Sequence, residues 1–362
     1  MKKPIFTAIS FLIVLSSFGQ TTLKDKFGKP YTYTTKDSTF QFSFGGRMQQ
    51  RFVVTDPVGT GNATDDFILN RARLKSKGYL FTSKLKYAYQ QDVLIADNVV
   101  MDFILDYHFS ENFNVFVGRY KNPSHISFEI SSQKTSYPER EIFHEVFTTD
   151  RAEGIQAKHK FKLGKIVVTE RIALTDEHWI KNLGKADNLD VTGRLAIFPF
   201  GEFTKKNYLL GADLMQEQTP KLMIGAMYDY NANTNLTRGR IGEGLASKAD
   251  LSIFVLDAVA KYKGFTFMTQ YAKRSIEAGN NVGFTLGEGF MGKLSYLNKK
   301  EYEFTSRYSQ IDAIKTNQYS VGINKYIVQN NLKIQYSFDY NDDVSTTNTD
   351  VVVQTLQLEL AF

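Results

Sequence analysis

From about Phe40 onward, segments of about ten residues alternate apolar or aromatic side chains with polar or small ones. That period of two sets successive side chains on opposite faces of a β-strand. In residues 40–52, Phe40, Phe42, Phe44, Met48 and Phe52 share one face, and Gln41, Ser43, Arg47, Gln49 and Arg51 share the other. Residues 68–80 set Ile68, Ala72, Leu74, Gly78 and Leu80 against Arg71, Arg73, Lys75 and Lys77. The same rhythm places Leu332, Ile334, Tyr336, Phe338 and Tyr340 opposite Lys333, Gln335, Ser337 and Asp339. At the C-terminus, Leu356, Leu358, Leu360 and Phe362 oppose Thr355, Gln357, Glu359 and Ala361. No segment shows a helical period, and no strand–helix–strand alternation occurs.

The pattern predicts strands near 40–54, 67–81, 84–92, 99–109, 113–120, 151–162, 164–174, 189–199, 207–215, 220–230, 250–262, 264–274, 288–297, 301–311, 317–327, 330–340 and 350–362. Short polar turns (162–165, 263–264, 298–300) alternate with longer connections (55–66, 121–150, 175–188, 231–250, 341–350). Short turns on one rim and long loops on the other are the plan of a transmembrane antiparallel β-barrel. A soluble sandwich would alternate too, but the many even strands and the terminal aromatic Phe362 favour the barrel. Seventeen candidates conflict with the even count of single-chain barrels. The loop alternation slips between residues 189 and 230, so a strand there has been split or missed. About sixteen strands are expected, with eighteen as the alternative, and either number leaves a wide lumen.

Composition agrees with an all-β chain: 29 Phe and 20 Tyr against one Trp, with 7 Pro in 362 residues. The aromatic excess is expected to form the lipid-facing girdles of a barrel rather than stacking platforms for sugars. Residues 1–19 read as a cleaved signal peptide, with Lys2 and Lys3 ahead of an apolar run from Ile5 to Leu15 and a small-residue cleavage site at Ser17-Phe18-Gly19. That run is about 11 residues, short of the roughly 20 that a spanning helix needs. Without those two lysines, 42 basic residues face 38 acidic ones, too slight a surplus for a nucleic-acid binder. No cysteine is present, which removes disulfides and thiolate metal sites. The domain plan is then a short segment over 20–39 and a barrel over 40–362 in the outer membrane of a Gram-negative bacterium.

In a barrel the charged face of a strand looks into the lumen, so Arg47, Arg51, Arg71, Arg73, Lys75 and Lys77 are the candidate pore-lining, anion-binding residues. Rings of Arg or Lys are what anion and phosphate pores use. The connection 121–150 is too long for an ordinary loop and is expected to be functional. It carries Lys121, Lys134 and Arg140, but also Glu129, Glu139, Glu141, Glu145 and Asp150. Asp102 and Asp106 share inward parity, which tempers anion preference further. Arg238-Gly239-Arg240 reads as an exposed solubilising loop, or less simply as an anion collector at the mouth.

Several short stretches resemble one family. Phe67-Ile68-Leu69-Asn70-Arg71-Ala72-Arg73-Leu74-Lys75 looks like an Arg-x-Ala-Arg strand, and Val117-Gly118-Arg119-Tyr120-Lys121-Asn122-Pro123 is similar to a Val-Gly-x-x-Lys-x-Pro loop entry. Ser131-Ser132, Pro138-Glu139-Arg140, Val146-Phe147, Arg151, Gly154 and Ser320-Val321-Gly322-Ile323-Asn324-Lys325-Tyr326 follow in order. Together they resemble the phosphate-selective porin O/P family of Gram-negative outer membranes, over about residues 40–362. The resemblance implies a barrel of about 16 strands, a homotrimer, a third loop folded into the lumen and passive transport of anions such as phosphate or polyphosphate. It also implies contact with outer-membrane lipid and lipopolysaccharide. Arg119 enters as a site residue through this resemblance alone, because its parity with Val115 and Val117 points it outward.

The rival readings are an outer-membrane barrel enzyme and a surface adhesin or receptor. His108, His125, His144, His159 and His178 form no His-x-x-x-His pair, and no Gly-x-Ser-x-Gly elbow or phosphate-binding Gly-Lys loop occurs. No catalytic residue, metal or cofactor is expected. Only about 20 residues lie between Gln20 and Phe40, which is expected to leave no room for a plug domain.

Overall fold

The computed structural model describes residue 28 and residues 30–94, 100–176, 189–345 and 349–362. The signal-peptide expectation for residues 1–19, and His178, lie outside them. The strands are β1 (Tyr31–Thr34), β2 (Phe40–Pro57), β3 (Thr64–Leu80), β4 (Thr82–Asp92), β5 (Val100–His108), β6 (Phe113–Lys121), β7 (Arg151–Leu163), β8 (Ile166–Asp176) and β9 (Asp190–Phe198). They continue as β10 (Lys221–Leu236), β11 (Gly244–Tyr262), β12 (Phe265–Gly279), β13 (Gly287–Leu297), β14 (Tyr302–Ile311), β15 (Thr316–Val328), β16 (Leu332–Asp343) and β17 (Val351–Ala361).

β2 to β17 pair antiparallel in chain order, and β17 returns to β2, with Ala361 opposite Arg47 and Leu356 opposite Phe52. The result is a closed ring of sixteen strands, the architecture that leaves no sheet edge to be satisfied in a membrane. β2 runs past the end of β17, and the exposed edge of Gln41–Phe44 is taken by β1, which stands outside the ring. At the seam, Gly46 and Phe362 exchange backbone hydrogen bonds of 2.9 Å in both directions.

The odd candidate count has a definite origin. The expected strand over 207–215 is not a strand. It belongs to the connection 199–220, which starts from the short-turn rim and turns into the lumen. A 3-10 segment at Thr204–Leu209 contains Lys205 and Lys206 in the left-handed region, at φ 48° and 57°. Its carbonyls are bonded by a lysine from the wall rather than by a neighbouring strand.

The alternation expected for β3 also shifts. The register passes from Gln49–Arg71 to Gln50–Leu69, leaving Asn70 as an extra residue. Such a bulge reverses the faces beyond it. Phe67 and Leu69 therefore share the outer face with Leu74, and Ile68 falls opposite Arg51 instead.

The outer face is aromatic and aliphatic: Phe254, Phe267, Phe290, Phe304, Tyr319, Tyr336 and Phe338 are all exposed there. The apolar core lies inside the ring. Ile126, Ile130, Phe143, Val146 and Phe147 of the connection 122–150 pack on Ile253, Val255, Val259, Met268, Ala272, Met291 and Ile311 of β11–β14. A Cβ at Gly289 would collide with the Phe147 ring, so glycine is what lets the loop seat this closely.

Candidate functional site

Two segments enter the lumen from opposite rims. The first is the connection between β6 and β7, carrying α1 (Ile126–Glu129) and α2 (Ile142–Phe147). Asp257 of β11 accepts a hydrogen bond from the Ile126 amide at 2.9 Å while Arg194 grips the same carboxylate through two 2.8 Å bonds. Arg274 donates to the Val146 carbonyl at 2.6 Å. Arg307 lies over the Tyr137 ring at 4.1 Å and pairs with Asp339 at 3.0 Å.

The second is 199–220. The buried Lys261 ammonium donates to the carbonyls of Asn207, Leu210 and Ala212 at 2.8, 2.7 and 2.7 Å. Asp213 accepts from Asn207 at 2.6 Å and from the Gly264 amide at 2.8 Å. The segments meet where Gly211 donates to the Lys134 carbonyl at 2.7 Å and Lys293 bridges Ser136 and Gly211.

Together they fill the side of the lumen next to β10–β17 and leave a passage along β3–β8. This passage is a cavity of about 890 Å³ whose lining runs from Glu111 and Asn112 in the β5–β6 turn to Glu145 and Asp150 at the other end. Ten Lys or Arg and eight Asp or Glu side chains line it, an excess of two positive charges. Arg71, Arg73 and Lys75 of β3 stand on one wall, with Lys121, Arg151, Lys158, Lys160 and Arg171 on β6–β8.

Several of these bases are held by acids. Arg73 pairs with Asp92 at 2.8 Å, Arg151 with Asp102 at 2.7 Å, and Arg71 with Glu139 at 3.5 Å. Arg171 takes both oxygens of Glu129, at 2.9 and 2.8 Å. The side-chain ammonium groups of Lys75, Lys158 and Lys206 make no hydrogen bond or ion pair among the described residues.

The sequence candidates thus fall into four groups. Arg71, Arg73, Lys75, Lys121 and Arg140 converge on the passage. Arg47 and Arg51 do not line it: both are inward but 4% exposed, clamped onto the first inserted segment. Arg47 donates to Ser132 at 2.6 Å and faces Glu359, and Arg51 bonds Gln357 at 2.6 Å, Glu139 and the Pro138 carbonyl. Lys77 faces inward near the short-turn rim and Lys134 sits close to it, both outside the lining of the cavity.

Arg119 keeps its outward parity, opposite Phe103 and Glu153 in register, with Glu153 3.9 Å away. No bulge turns it inward. Arg240 is not in an exposed loop either: it is 4% exposed and pairs with Asp190 and Asp229 at 2.6 Å each. Arg238 donates to the Glu145 carbonyl, so the loop lies down on the inserted segment.

Sequence reasoning missed Lys158 and Arg171, although their inward parity in β7 and β8 was a usable signal; Arg151 shares the parity of Glu153 and the exposed Ile155, and its place in the passage at the start of β7, on Asp102, was not readable from alternation. It also missed the docking wall, where Leu251, Ile253, Val255 and Val259 alternate with Phe254 and Leu256. A strand apolar on both faces is one that is covered on both faces.

Burial sets the charge states in the inserted segment. It holds His125 down to about 4 despite Glu141 nearby, and His144 well below its usual range, further depressed by Arg140. Arg140, donating to the Ser127 and Ile130 carbonyls, is brought to about 10 by burial against the pull of Glu141, with Arg71 and Arg151 adding to the fall. Both histidines are therefore neutral at pH 7 while Arg140 keeps its charge.

No family model matches the chain, and no curated protein matches it either. Solved structures do. Salmonella typhi OmpF in complex with daunomycin aligns at a TM-score of 0.59 and 13% identity, over 91% of this chain and 100% of that one. The anion-selective porin from Comamonas acidovorans aligns at 0.57 and 12% identity, over 89% and 100%. The trimer form of OmpT from Vibrio cholerae aligns at 0.55 and 8% identity, over 90% and 100%. At these identities the likeness is one of fold: a porin-type barrel of the Gram-negative outer membrane.

Proposed function

We propose that the chain is a passive outer-membrane channel for small hydrophilic solutes with a weak preference for anions. The observation that carries this reading is the rim-to-rim passage and its surplus of basic side chains. A basic wall in a narrow low-dielectric channel raises the local concentration of anions. Pairing of Arg71, Arg73, Arg151 and Arg171 with carboxylates keeps that field modest, which suits transit, because a site that binds too tightly does not release. Lys75 and Lys158 supply charge that no carboxylate pairs directly.

Phosphate is one anion that this basic wall would take. The porin likeness and the trimer form of one neighbour support a homotrimer set in lipid and lipopolysaccharide. The motifs resembling the phosphate-selective family support the same reading, with no catalytic step and no cofactor.

The test is single-channel current from the purified, detergent-folded chain in a planar bilayer under a KCl gradient. An anion-side reversal potential is expected, with partial block on adding phosphate. A cation-side potential would remove the anion preference, and a folded barrel that passes no current would remove the channel.

A further inference from the structure

The lower half of the passage holds a group of residues that the anion field alone does not explain. Lys158 of β7 projects into the cavity beside Arg171, with Lys206 of the inserted segment as a further like-charged neighbour. Arg171 is spent on Glu129, Gln156 and the Lys121 carbonyl. The Lys158 and Lys206 ammonium groups face the same space and make no salt bridge or hydrogen bond among the described residues; Glu129 and Asp106 act on Lys158 only from a distance.

Lys206 is delivered there by two successive left-handed backbone positions, which non-glycine residues adopt at a cost. Beside these ammonium groups lies an aromatic floor. Tyr208 meets Phe198 edge-on at 5.0 Å and Phe203 at 5.8 Å, and all three line the cavity. Across the passage Phe116 and Tyr120 of β6 stand 5.6 Å apart, edge to face. Many of the aromatic residues on the described strands face outward, whereas these five, with Phe128, border the cavity.

We infer that Lys158 and Lys206, with the Tyr208–Phe203–Phe198 floor and Phe116 opposite, form a binding site for an amphipathic organic anion, a ring bearing one carboxylate or phosphate group. The ammonium groups take the anionic end. The ring lies against the aromatic edges that border the cavity, a contact that a bare inorganic ion does not make. This assignment rests on reading the lumen as a solute path, and it names the class of solute that path favours.

The experiment is equilibrium binding of sodium benzoate and sodium acetate to the full chain in detergent micelles, followed by saturation-transfer NMR, with empty micelles subtracted. Benzoate is expected to bind about tenfold more tightly than acetate, the scale of one aromatic contact. The double variant Lys158→Gln, Lys206→Gln is expected to lose most benzoate binding while keeping the heat-modifiable migration of a folded barrel, and Lys158→Arg, Lys206→Arg to retain it.

Equal binding of the two acids would overturn the site, as would undiminished benzoate binding in the glutamine variant. The readout is independent of conduction. Selective benzoate binding by a barrel that passes no current would sink the channel and leave the site, whereas current with interchangeable acids would do the reverse.

Discussion

The two sides of the lumen are built from the same alternation and have opposite fates. Along β11–β17 the inward polar residues are cement: Lys261, Lys293, Glu303, Asn324, Lys333, Gln357 and Glu359 are all buried. Glu303 alone accepts from Ser136, Asn324 and Tyr326 at 2.7 Å each. Along β3–β8, Arg71, Lys75 and Lys158 occupy equivalent inward positions and line open space. What separates them is whether an inserted segment lies opposite. A lysine facing three carbonyls becomes a bolt, and a lysine facing open space becomes part of the wall of the passage.

Substitutions should divide along the same line. The largest effect is expected from Lys261→Met, which leaves the Asn207, Leu210 and Ala212 carbonyls without their donor. A loss of about 3–5 kcal/mol is expected in urea unfolding from detergent, by the cost of buried groups left unpaired. Conductance should rise as 199–220 loosens; unchanged stability would mean that the segment is held by its apolar contacts instead.

Next in size is the charge reversal Arg71→Glu with Arg73→Glu on the open side. The anion-to-cation permeability ratio is expected to fall by about tenfold, on the order of 1.4 kcal/mol in relative passage, with the barrel still folded. Its counterpart Arg47→Gln should cost about 2 kcal/mol of stability, because Glu359 is left buried without its cation, and should leave selectivity where it was. If Arg47→Gln moved the reversal potential as far as the Arg71 and Arg73 pair does, the division between the two sides would fail.

Acid acts on the sealed side. An unfolded histidine titrates near 6.5, whereas buried His125 takes a proton only near 4. The unfolded chain therefore binds more protons between those values, and stability is lost as pH falls from about 6.5 to about 4. The groups around His125 include Glu141, whose carboxylate burial pushes up but Arg307 and Ser127 hold low, together with Asp257 and Arg140. Steeper current fluctuation below pH 6 is expected in the wild type and a flatter profile in His125→Gln; identical profiles would place the acid response elsewhere.

The smallest effect is Glu129→Gln, which unmasks Arg171 in the passage and should raise anion preference about twofold. No change would show that Arg171 lies outside the limiting bore.

The ring was legible in the sequence, because a strand with one face in lipid and one in water writes its period directly into the residue order. Sixteen strands were legible for the same reason, apart from residues 207–215, where apolar and small residues mimic a strand whose backbone partners are in fact the Lys261 ammonium and the Lys134 carbonyl. Much of the site was not. Arg47 and Arg71 have the same residue type and parity, and only the position of the inserted segment, fixed by contacts more than eighty residues away such as Arg47–Ser132, tells them apart. Arg119 shows the converse: its parity pointed outward from the beginning, and the motif that drew it inward carried no geometry.

The seam at β2 has a consequence in time. Every other pairing of the ring joins strands adjacent in the chain, so hairpins can form as neighbours appear. The last one, Arg47 with Ala361, joins nearly the two ends of the described chain and pays the greatest loop-closure entropy. Ring closure is therefore the expected slow step of assembly, visible as a late gain in heat-modifiable migration after strand content is complete. Until then the free edges of β2 and β17 are open to other chains, and β1, already seated on residues 41–44, keeps part of the first of them occupied.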